Sequence, residues 1–429
     1  MHRRKFLFGA LGTALALTSK ASRVSQSLGV IAFVDNGGLS VRELPDSEPR
    51  NLVSGAVSFP SFSPSGKWIS YQLGGQASVI STDGKEVRKI GNFEVEWLPA
   101  SDELWAVNNS QDGSALFRAG NDWSLPVLTF PDRSSVVFSA SGTEMVYIGD
   151  DQYGDDDHPV GRLCRATVQE GAQPAVLQST TEDWTPRFWT RDGKFIVFYR
   201  QEERSASAAS DGDELFLIPA TGGEPRSLGV TALFDRDFLA LSPTRNELAA
   251  TAGGERNEWH NKRIAVVDLD SFATRYLTGS GMVGLCPSWS PDGNLIAYSA
   301  GPEPKKGEES DLECGCDETS QRRLNELRFE RRIWVSDRLG RQAPRQVTSD
   351  SRYQDEEPRW SSDGKYILFT RSDSKYQEIH TLSSDQKTLW LIGVDGGDPI
   401  QVAGPLYVDP DQLGNNDRWC AFDWYRGTR

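Results

Sequence analysis

The sequence predicts an all-β fold built from repeated four-stranded units, and three observations support this prediction. First, a short element that ends a strand and opens a tight turn recurs along the 429 residues. Second, a run of β-branched and aromatic residues follows most copies of the element, which is typical of a strand. Third, the 40 glycines and 22 prolines indicate a chain with many turns.

The recurring element carries a large apolar residue, here called the anchor, which precedes a glycine by four residues in the best copies. The clearest copy is 287–293, which reads Pro-Ser-Trp-Ser-Pro-Asp-Gly and has Trp289 as its anchor. An aromatic residue at a strand end packs between neighbouring sheets, and Pro-Asp-Gly turns the chain into the next strand. The eight anchors are Phe62, Trp97, Phe138, Trp189, Leu241, Trp289, Trp360 and Trp424.

Each unit continues beyond its anchor with further short strands. After Trp189, the run 195–198 indicates a second strand, and the run 215–218 before Thr-Gly-Gly indicates a third. A fourth short strand begins at Arg226. Four short antiparallel strands repeated radially form the blade of a β-propeller, so we expect a single propeller of four-stranded antiparallel blades.

At the copies that read Pro-x-Trp-Ser-x-Asp-Gly, the chain resembles the TolB-like, WD40-like propeller repeat family. The resemblance covers residues 28–429, and it is most specific around residues 62, 189, 289 and 360. It identifies a type of repeat and therefore implies a fold, because one fold can host many functions.

The two ends of the chain are predicted to share one blade. Residues 28–55 contain strands two to four of a blade without its first strand, and residues 418–426 can supply that strand. Such pairing closes the ring and removes exposed sheet edges. Eight anchors predict eight blades; the alternative is seven, if the weak copy at Leu241 or Trp97 is misread.

The N-terminal segment 1–21 resembles a twin-arginine export signal. Arg3 and Arg4 precede an apolar run from Phe6 to Leu17, and a small-x-small cleavage site ends at Ala21. The run is too short to span a bilayer. We therefore expect a periplasmic or secreted protein whose propeller occupies residues 22–429; the alternative is an ordinary secretory signal that contains Arg-Arg.

The charge of the chain excludes several classes of partner. The 46 basic and 61 acidic residues give a net charge of −15, which becomes −19 without the four bases of the first 21 residues. A nucleic-acid binder or a protein that binds anionic membranes needs a concentrated basic surface. We therefore expect no nucleic-acid partner. No apolar run reaches the length of a membrane span, so we also expect no membrane span. We expect the protein to be a monomer.

The five cysteines are odd in number and widely spread, so the fold is not expected to depend on disulfides. Cys314 and Cys316 are interpreted as loop thiols or as partners of another cysteine. A metal clip or a redox pair is the alternative for these two residues.

Five long loops are predicted between second and third strands, at 149–161, 201–213, 252–262, 301–331 and 371–387. Such loops lie on one face of a propeller, and together they carry 23 acids and 12 bases. Loops on a rigid scaffold often carry binding sites. The alternative is a solvated face that keeps the protein soluble. Within 301–331, the stretch 317–332 is expected to form a short amphipathic helix over this face, with a flexible insertion as the alternative.

Candidate binding residues lie in these loops and before several first strands, where they would approach the mouth of the central channel. They are Asp155, Asp157, His158, Glu182, Asp183, Trp184, Asp235, Trp259, His260, Glu356, Glu357 and His380. Carboxylates beside an aromatic platform suit a cation, a basic peptide or a polyol.

No cofactor is expected, and the alternative is calcium or another divalent ion. Clustered carboxylates supply the hard oxygens that calcium prefers, but the 12-residue spacing of a calcium loop is missing. The metal-site candidates are Asp155, Asp157, Asp211 and Asp213.

The function predicted from these observations is binding rather than catalysis. The sequence has no Gly-x-Ser-x-Gly element, no phosphate-binding glycine loop and no His-Glu-x-x-His motif. We therefore expect an exported scaffold that binds an envelope or extracellular protein or peptide through its acidic face. The alternative is a carbohydrate-active or metal-dependent hydrolase or lyase with carboxylates at the channel mouth.

Overall fold

A computed structural model describes residues 27–35, 38–107, 114–118, 128–130, 134–150, 161–169, 171–180, 182–201, 212–233, 236–254, 258–308, 318–373, 387–407 and 421–427. The proposed export signal, Cys314, Cys316 and Cys420 lie outside these residues. Cys164 and Cys286 are buried. In the described part of the chain, no helix is long and apolar enough to cross a membrane.

Short strands make up most of the described chain. The strands before residue 190 are β1 Val30–Asp35, β2 Gly38–Glu43, β3 Arg50–Val53, β4 Val57–Phe62, β5 Trp68–Leu73, β6 Gln76–Ser81, β7 Val87–Gly91, β8 Glu94–Trp97, β9 Glu103–Val107, β10 Ser114–Arg118, β11 Leu128–Phe130, β12 Ser134–Phe138, β13 Glu144–Asp150, β14 Gly161–Thr167, β15 Ala175–Thr180 and β16 Asp183–Trp189. The later strands are β17 Phe195–Gln201, β18 Gly212–Pro219, β19 Arg226–Leu233, β20 Leu239–Leu241, β21 Glu247–Ala252, β22 Arg263–Asp268, β23 Thr274–Tyr276, β24 Met282–Trp289, β25 Leu295–Pro302, β26 Arg332–Asp337, β27 Arg345–Gln346, β28 Tyr353–Trp360, β29 Tyr366–Asp373, β30 Lys387–Gly393, β31 Ile400–Ala403 and β32 Phe422–Tyr425.

Two short helical elements accompany the strands. A 3-10 turn covers Arg236–Phe238, and the helix α1 covers Glu318–Phe329, within the stretch predicted to be helical. Leu324 and Leu327 of α1 are buried against Trp259, so the apolar side of the helix is packed on the sheets rather than exposed.

The described strands form seven antiparallel sheets, six of which have four strands. The remaining sheet joins β16–β19 to β20–β23 through one bridge between Ala232 and Ala252. We number the groups of four strands as group 1 (β4–β7), group 2 (β8–β11), group 3 (β12–β15), group 4 (β16–β19), group 5 (β20–β23), group 6 (β24–β27), group 7 (β28–β31) and group 8 (β32 with β1–β3). The predicted all-β fold and its four-stranded antiparallel units are confirmed.

Every anchor is one of the last two residues of the first strand in its group. It pairs with the second residue of the second strand. In group 6, Trp289 pairs with Ile296, which is the second residue of β25. The partners of the eight anchors, all with no exposed surface, are Ile69, Leu104, Met145, Ile196, Leu248, Ile296, Ile367 and Ile31. Burial of such side chains is the main favourable term in folding, so each unit is built around this pair.

Four tryptophan anchors also link one group to the group before it. The indole Nε1 of Trp289 donates to the carbonyl of Ala240 at 2.8 Å, and that of Trp360 donates to the carbonyl of Ser288 at 2.9 Å. Trp97 and Trp189 make the equivalent bonds, and each acceptor directly precedes an anchor. The recurring element therefore holds neighbouring groups together in addition to ending a strand.

The Ser-x-Asp-Gly part of the element forms a hydrogen-bonded turn. In group 6, the Ser290 hydroxyl donates to Asp292 Oδ1 at 2.6 Å, and the Asn294 backbone N–H donates to the same oxygen at 3.1 Å. The hydrogen bond from Ser290 lowers the pKa of Asp292. Gly293 has a φ of +68°, a conformation that favours glycine, and an added Cβ would lie 2.1 Å from Thr244 Oγ1.

The N-terminal and C-terminal strands share one sheet. β1 pairs antiparallel with β32, and Trp424 Nε1 donates to the Leu28 carbonyl at 3.0 Å. Asp423 accepts the backbone N–H of Phe62 at 2.8 Å, so group 8 also contacts group 1. Leu28 and Trp424 lie in one core cluster with Leu368 of group 7.

We predict that Trp289→Phe lowers the free energy of unfolding by about 1–3 kcal/mol, because the Ala240 carbonyl loses its donor and the core loses packing volume. Trp334→Phe is the matched control, since the buried Trp334 Nε1 has no hydrogen-bond partner in the described chain. Urea unfolding of both variants measures the difference. Equal destabilisation of the two variants would show that the hydrogen bond from Trp289 to Ala240 does not contribute to the free energy of unfolding.

Candidate functional site

The structure places eight of the fourteen predicted site residues. Glu182 and Trp184 line one cleft, and Asp183 stands between them in the chain without lining it. A second region contains Trp259, His260, Glu356 and Glu357, and Asp213 stands apart in β18. The residues outside the described chain are Asp155, Asp157, His158, Asp211, Asp235 and His380.

The first region is a cleft of about 540 Å³ between groups 3 and 4, here called the 3/4 cleft. Its walls come from the end of β15, the beginning of β16, the strands β17 and β18, and the turn after β18. The lining residues are Gln178, Ser179, Thr180, Glu182, Trp184, Phe198, Arg200, Phe216, Glu224 and Pro225. This volume lies in the range of small-ligand sites.

Three aromatic rings stack along the floor of the 3/4 cleft. The ring centroids of Trp184 and Phe198 are 4.6 Å apart, and those of Phe198 and Phe216 are 5.8 Å apart with their planes 29° from parallel. Trp184 is 8% exposed and Phe198 is fully buried, whereas Phe216 is partly exposed. Packing of this kind fixes the floor and leaves Phe216 as the ring most open to a ligand.

A half-exposed ion pair lies above this floor. Arg200 Nη2 is 2.5 Å from Glu182 Oε1, and the indole Nε1 of Trp184 donates to Glu182 Oε2 at 3.1 Å. The side chains of Glu182 and Arg200 are 39% and 41% exposed. The guanidinium of Arg200 also lies 5.5 Å from the centroid of Phe216, a cation–π contact.

Strand register explains why these side chains meet. Trp184 pairs with Arg200 across β16 and β17, and Phe198 pairs with Phe216 across β17 and β18. The position of acids before a first strand identified Glu182, Asp183 and Trp184 in the sequence. Arg200 and Phe216 were missed, because pairing across strands cannot be read from a local pattern.

The second region is a buried group of charged residues, here called the charge cluster, formed by Glu258, Arg331, Glu356, Glu357 and Lys387. Glu356 Oε1 lies 2.5 Å from Arg331 Nη1, and Glu356 Oε2 lies 3.7 Å from Lys387 Nζ. Burial alone would raise the pKa of Glu356, but the charges of Arg331 and Lys387 lower it to about 2. Glu356 is therefore ionised and paired at neutral pH.

Glu357 lies in a different environment from its neighbour. Lys387 Nζ is 3.2 Å from Glu357 Oε1, whereas Glu357 Oε2 is buried without a hydrogen-bond partner in the described residues. Burial is the largest effect and, with the charges of Asp237 and Glu356, raises the pKa of Glu357 to about 7 in spite of Lys387. Adjacent carboxyl groups thus have opposite pKa shifts.

The backbone at Glu357 is strained in a way that recurs along the chain. Glu357 has a φ of +55° beside the irregular register between Glu356 and Arg359. Phe59 and Cys286 have a φ of +53°, and each of these three residues precedes an anchor by three positions. The conformation is therefore part of the first strand of these groups, and only group 7 of the three places a carboxylate there.

Asp355, which directly precedes Glu356 in the chain, belongs to a second ion pair. Arg371 contacts both carboxylate oxygens of Asp355, at 2.6 and 2.9 Å, and both residues are buried. The guanidinium lies 4.5 Å from the Tyr353 centroid and 4.8 Å from the Trp390 centroid. A bidentate, stacked arginine of this kind holds β28 and β29 in register.

Trp259 and His260 do not form an open platform. Trp259 is 4% exposed and is covered by Leu324 and Leu327 of α1. His260 Nε2 lies 3.9 Å from a carboxylate oxygen of Glu303. The helix therefore covers this part of the face, and the residues beneath it are not accessible to a large ligand.

The metal candidates stay a prediction. Asp213 is 2% exposed, and the other three candidates lie outside the described residues. Across the described ranges, no three His, Cys, Asp or Glu side chains are grouped as metal ligands.

No family model matches the chain, and no curated protein matches it. Among solved structures, dihydro-heme d1 dehydrogenase NirN in complex with DHE is similar with a TM-score of 0.57 and 15% identity, over 87% of this chain and 73% of that chain. A eukaryotic initiation factor has a TM-score of 0.52 and 12% identity, over 90% and 98% of the two chains. At such identities the likeness shows the fold alone.

The solved structures also include TolB from Acinetobacter baumannii. Its TM-score is 0.37 at 15% identity, and the match covers 78% of this chain and 66% of that chain. This overlap is too low to support a conclusion about function.

We predict that Glu357→Gln changes how stability depends on pH. Because folding raises the pKa of Glu357 from 4.5 to about 7, the folded chain holds the extra proton between these values. The stability gained from this group is complete below about pH 4.5 and is lost as the pH rises through 7. Urea midpoints from pH 4 to 8 should therefore decline less in Glu357→Gln than in the wild type.

The exposed substitution Glu48→Gln is the control for this measurement and should follow the wild-type profile. Identical declines in the wild type and Glu357→Gln would contradict the raised pKa.

Proposed function

We propose that the chain is an exported, monomeric eight-bladed β-propeller that binds an envelope or extracellular protein or peptide in the 3/4 cleft. The observation that carries this proposal is the half-exposed pair of Glu182 and Arg200 above the ring of Phe216. Binding sites combine apolar surface with a few oriented polar groups, and this cleft has both. Trp184 fixes the carboxylate through its indole N–H.

The closed ring of eight blades is also part of the proposal. Eight groups of strands, each with one anchor, support eight blades, and the pairing of β1 with β32 supports closure through the two chain ends. Closure gives every blade two neighbours and removes open sheet edges between blades. A rigid ring would hold the 3/4 cleft in one shape before a partner arrives, which lowers the entropic cost of binding.

Export is proposed from the sequence alone. Arg3 and Arg4, the apolar run that follows them and the small residues up to Ala21 support a cleaved twin-arginine signal. Such a signal would deliver the folded propeller to the periplasm or the medium. The strongly acidic mature chain fits a role in solution rather than on an anionic membrane.

The second candidate function is catalysis by the charge cluster, and the specific observation in its favour is the pair Glu356 and Glu357. One carboxyl has a pKa of about 2 and the other of about 7, which is the separation that lets one group act as base and its neighbour as acid. A carbohydrate-active hydrolase or lyase would use such a pair. The ion pair with Arg331 and the burial of both carboxyls favour a structural role instead.

A panel of synthetic eight-residue peptides tests the binding function on the purified mature protein. Calorimetry should detect at least one peptide that binds, and Phe216→Ala should weaken it at least tenfold, because it removes the open ring of the cleft. Phe272→Ala is the matched control, because Phe272 is also a partly exposed ring beside an arginine, Arg226, and lies outside the cleft. The control should stay within twofold of the wild type.

Two results would contradict the binding function. Either no peptide of the panel binds, or both phenylalanine variants weaken binding equally. A glycan turnover screen tests the second candidate: turnover that Glu357→Gln abolishes and Phe216→Ala leaves unchanged would establish catalysis in place of binding at the 3/4 cleft.

We predict that the double substitution Arg3→Lys and Arg4→Lys blocks export while it keeps the positive charge of the segment. The twin-arginine route reads the arginine pair, whereas an ordinary secretory signal needs only positive charge. Fractionation of cells that produce each form measures the exported share. Unchanged export of the lysine form would assign the segment to the ordinary secretory route.

A further inference from the structure

The charge of the 3/4 cleft is unbalanced on the acidic side. Two acids and one base line it, and Glu182 neutralises the base Arg200. Glu224 is exposed and makes no ion pair in the described part of the chain. Glu224 therefore adds an uncompensated carboxylate to the lining of the cleft.

The position of Arg200 shows that the cleft can hold a cation. The guanidinium of Arg200 lies above Phe216 and against the carboxylate of Glu182. An aromatic face beside a carboxylate is a favourable place for a cation. A second cation could be held in the same way, between the open part of Phe216 and the carboxylate of Glu224.

One wall of the cleft is a strand at the end of its sheet. Within the described residues β15 pairs with β14 alone, and residues 178–180 line the cleft. The backbone groups on the far side of such a strand can pair with an added peptide, whose alternate side chains then point to one face. This favours an extended peptide over a small free amine.

We propose that the partner of the 3/4 cleft is an extended peptide segment that carries lysine or arginine. This proposal rests on the proposed binding function and specifies the chemistry of its partner. The peptide backbone lies along residues 178–180, and a basic side chain lies over Phe216 with its charge toward Glu224. Because part of the attraction is electrostatic and exposed, affinity falls as salt is raised.

Three capped eight-residue peptides test this proposal on the mature protein. They alternate threonine with lysine, with glutamine or with glutamate, so that they differ only in charge. Titration followed by calorimetry should show that the lysine peptide binds at least tenfold more tightly than the glutamate peptide.

The substitution Glu224→Gln should weaken the lysine peptide at least fivefold. Glu48→Gln is the matched control, since it removes the same charge from an exposed position in group 8. The control should stay within twofold of the wild type.

Glutamine or glutamate peptides that bind as tightly as the lysine peptide would overturn the cationic partner, while the proposed binding function would stand if Phe216→Ala still weakened them. Binding of no peptide in either set would overturn both. Equal weakening by the cleft variant and the control would also overturn the proposal, because the effect would then come from net charge alone.

Discussion

The structure depends on one repeated contact, the burial of an anchor side chain against the second residue of the next strand. The contact recurs in all eight groups of strands, and its aliphatic partner has no exposed surface in any of them. In four of the five tryptophan anchors, among them Trp289 and Trp360, the indole N–H also donates to the carbonyl that precedes the anchor of an earlier group. One residue type thus ends a strand, fills the core and joins neighbouring groups.

Both candidate regions lie on a first strand ahead of its anchor, at the beginning of the strand in group 4 and in its middle in group 7. In group 4 the strand β16 starts with Asp183 and Trp184 and ends at the anchor Trp189. In group 7 the strand β28 carries Glu356 and Glu357 a few residues before Trp360. Because the anchor is fixed by burial, the beginning of the strand is held as well, and polar side chains there keep a defined position.

Much of the fold could be predicted from the sequence because its determinants are local. The Ser-x-Asp-Gly turn that follows Trp289 and the strand that follows that turn are visible in a dozen residues. Even the pairing of β1 with β32 was predicted from local patterns, because residues 28–55 contain strands two to four of a blade without its first strand. The site was predicted only in part. Arg200 and Lys387 escaped notice because their partners, Glu182 and Glu357, are 18 and 30 residues away and are brought close by register.

Hydrogen–deuterium exchange of the protein with and without a saturating lysine-containing peptide tests whether a partner binds in the 3/4 cleft. Binding there slows exchange in residues 176–180 of β15, in residues 183–186 of β16 and in residues 214–217 of β18, with little change elsewhere. Protection centred on residues 331–333 and 355–357 instead would move the site to the charge cluster and contradict the claim.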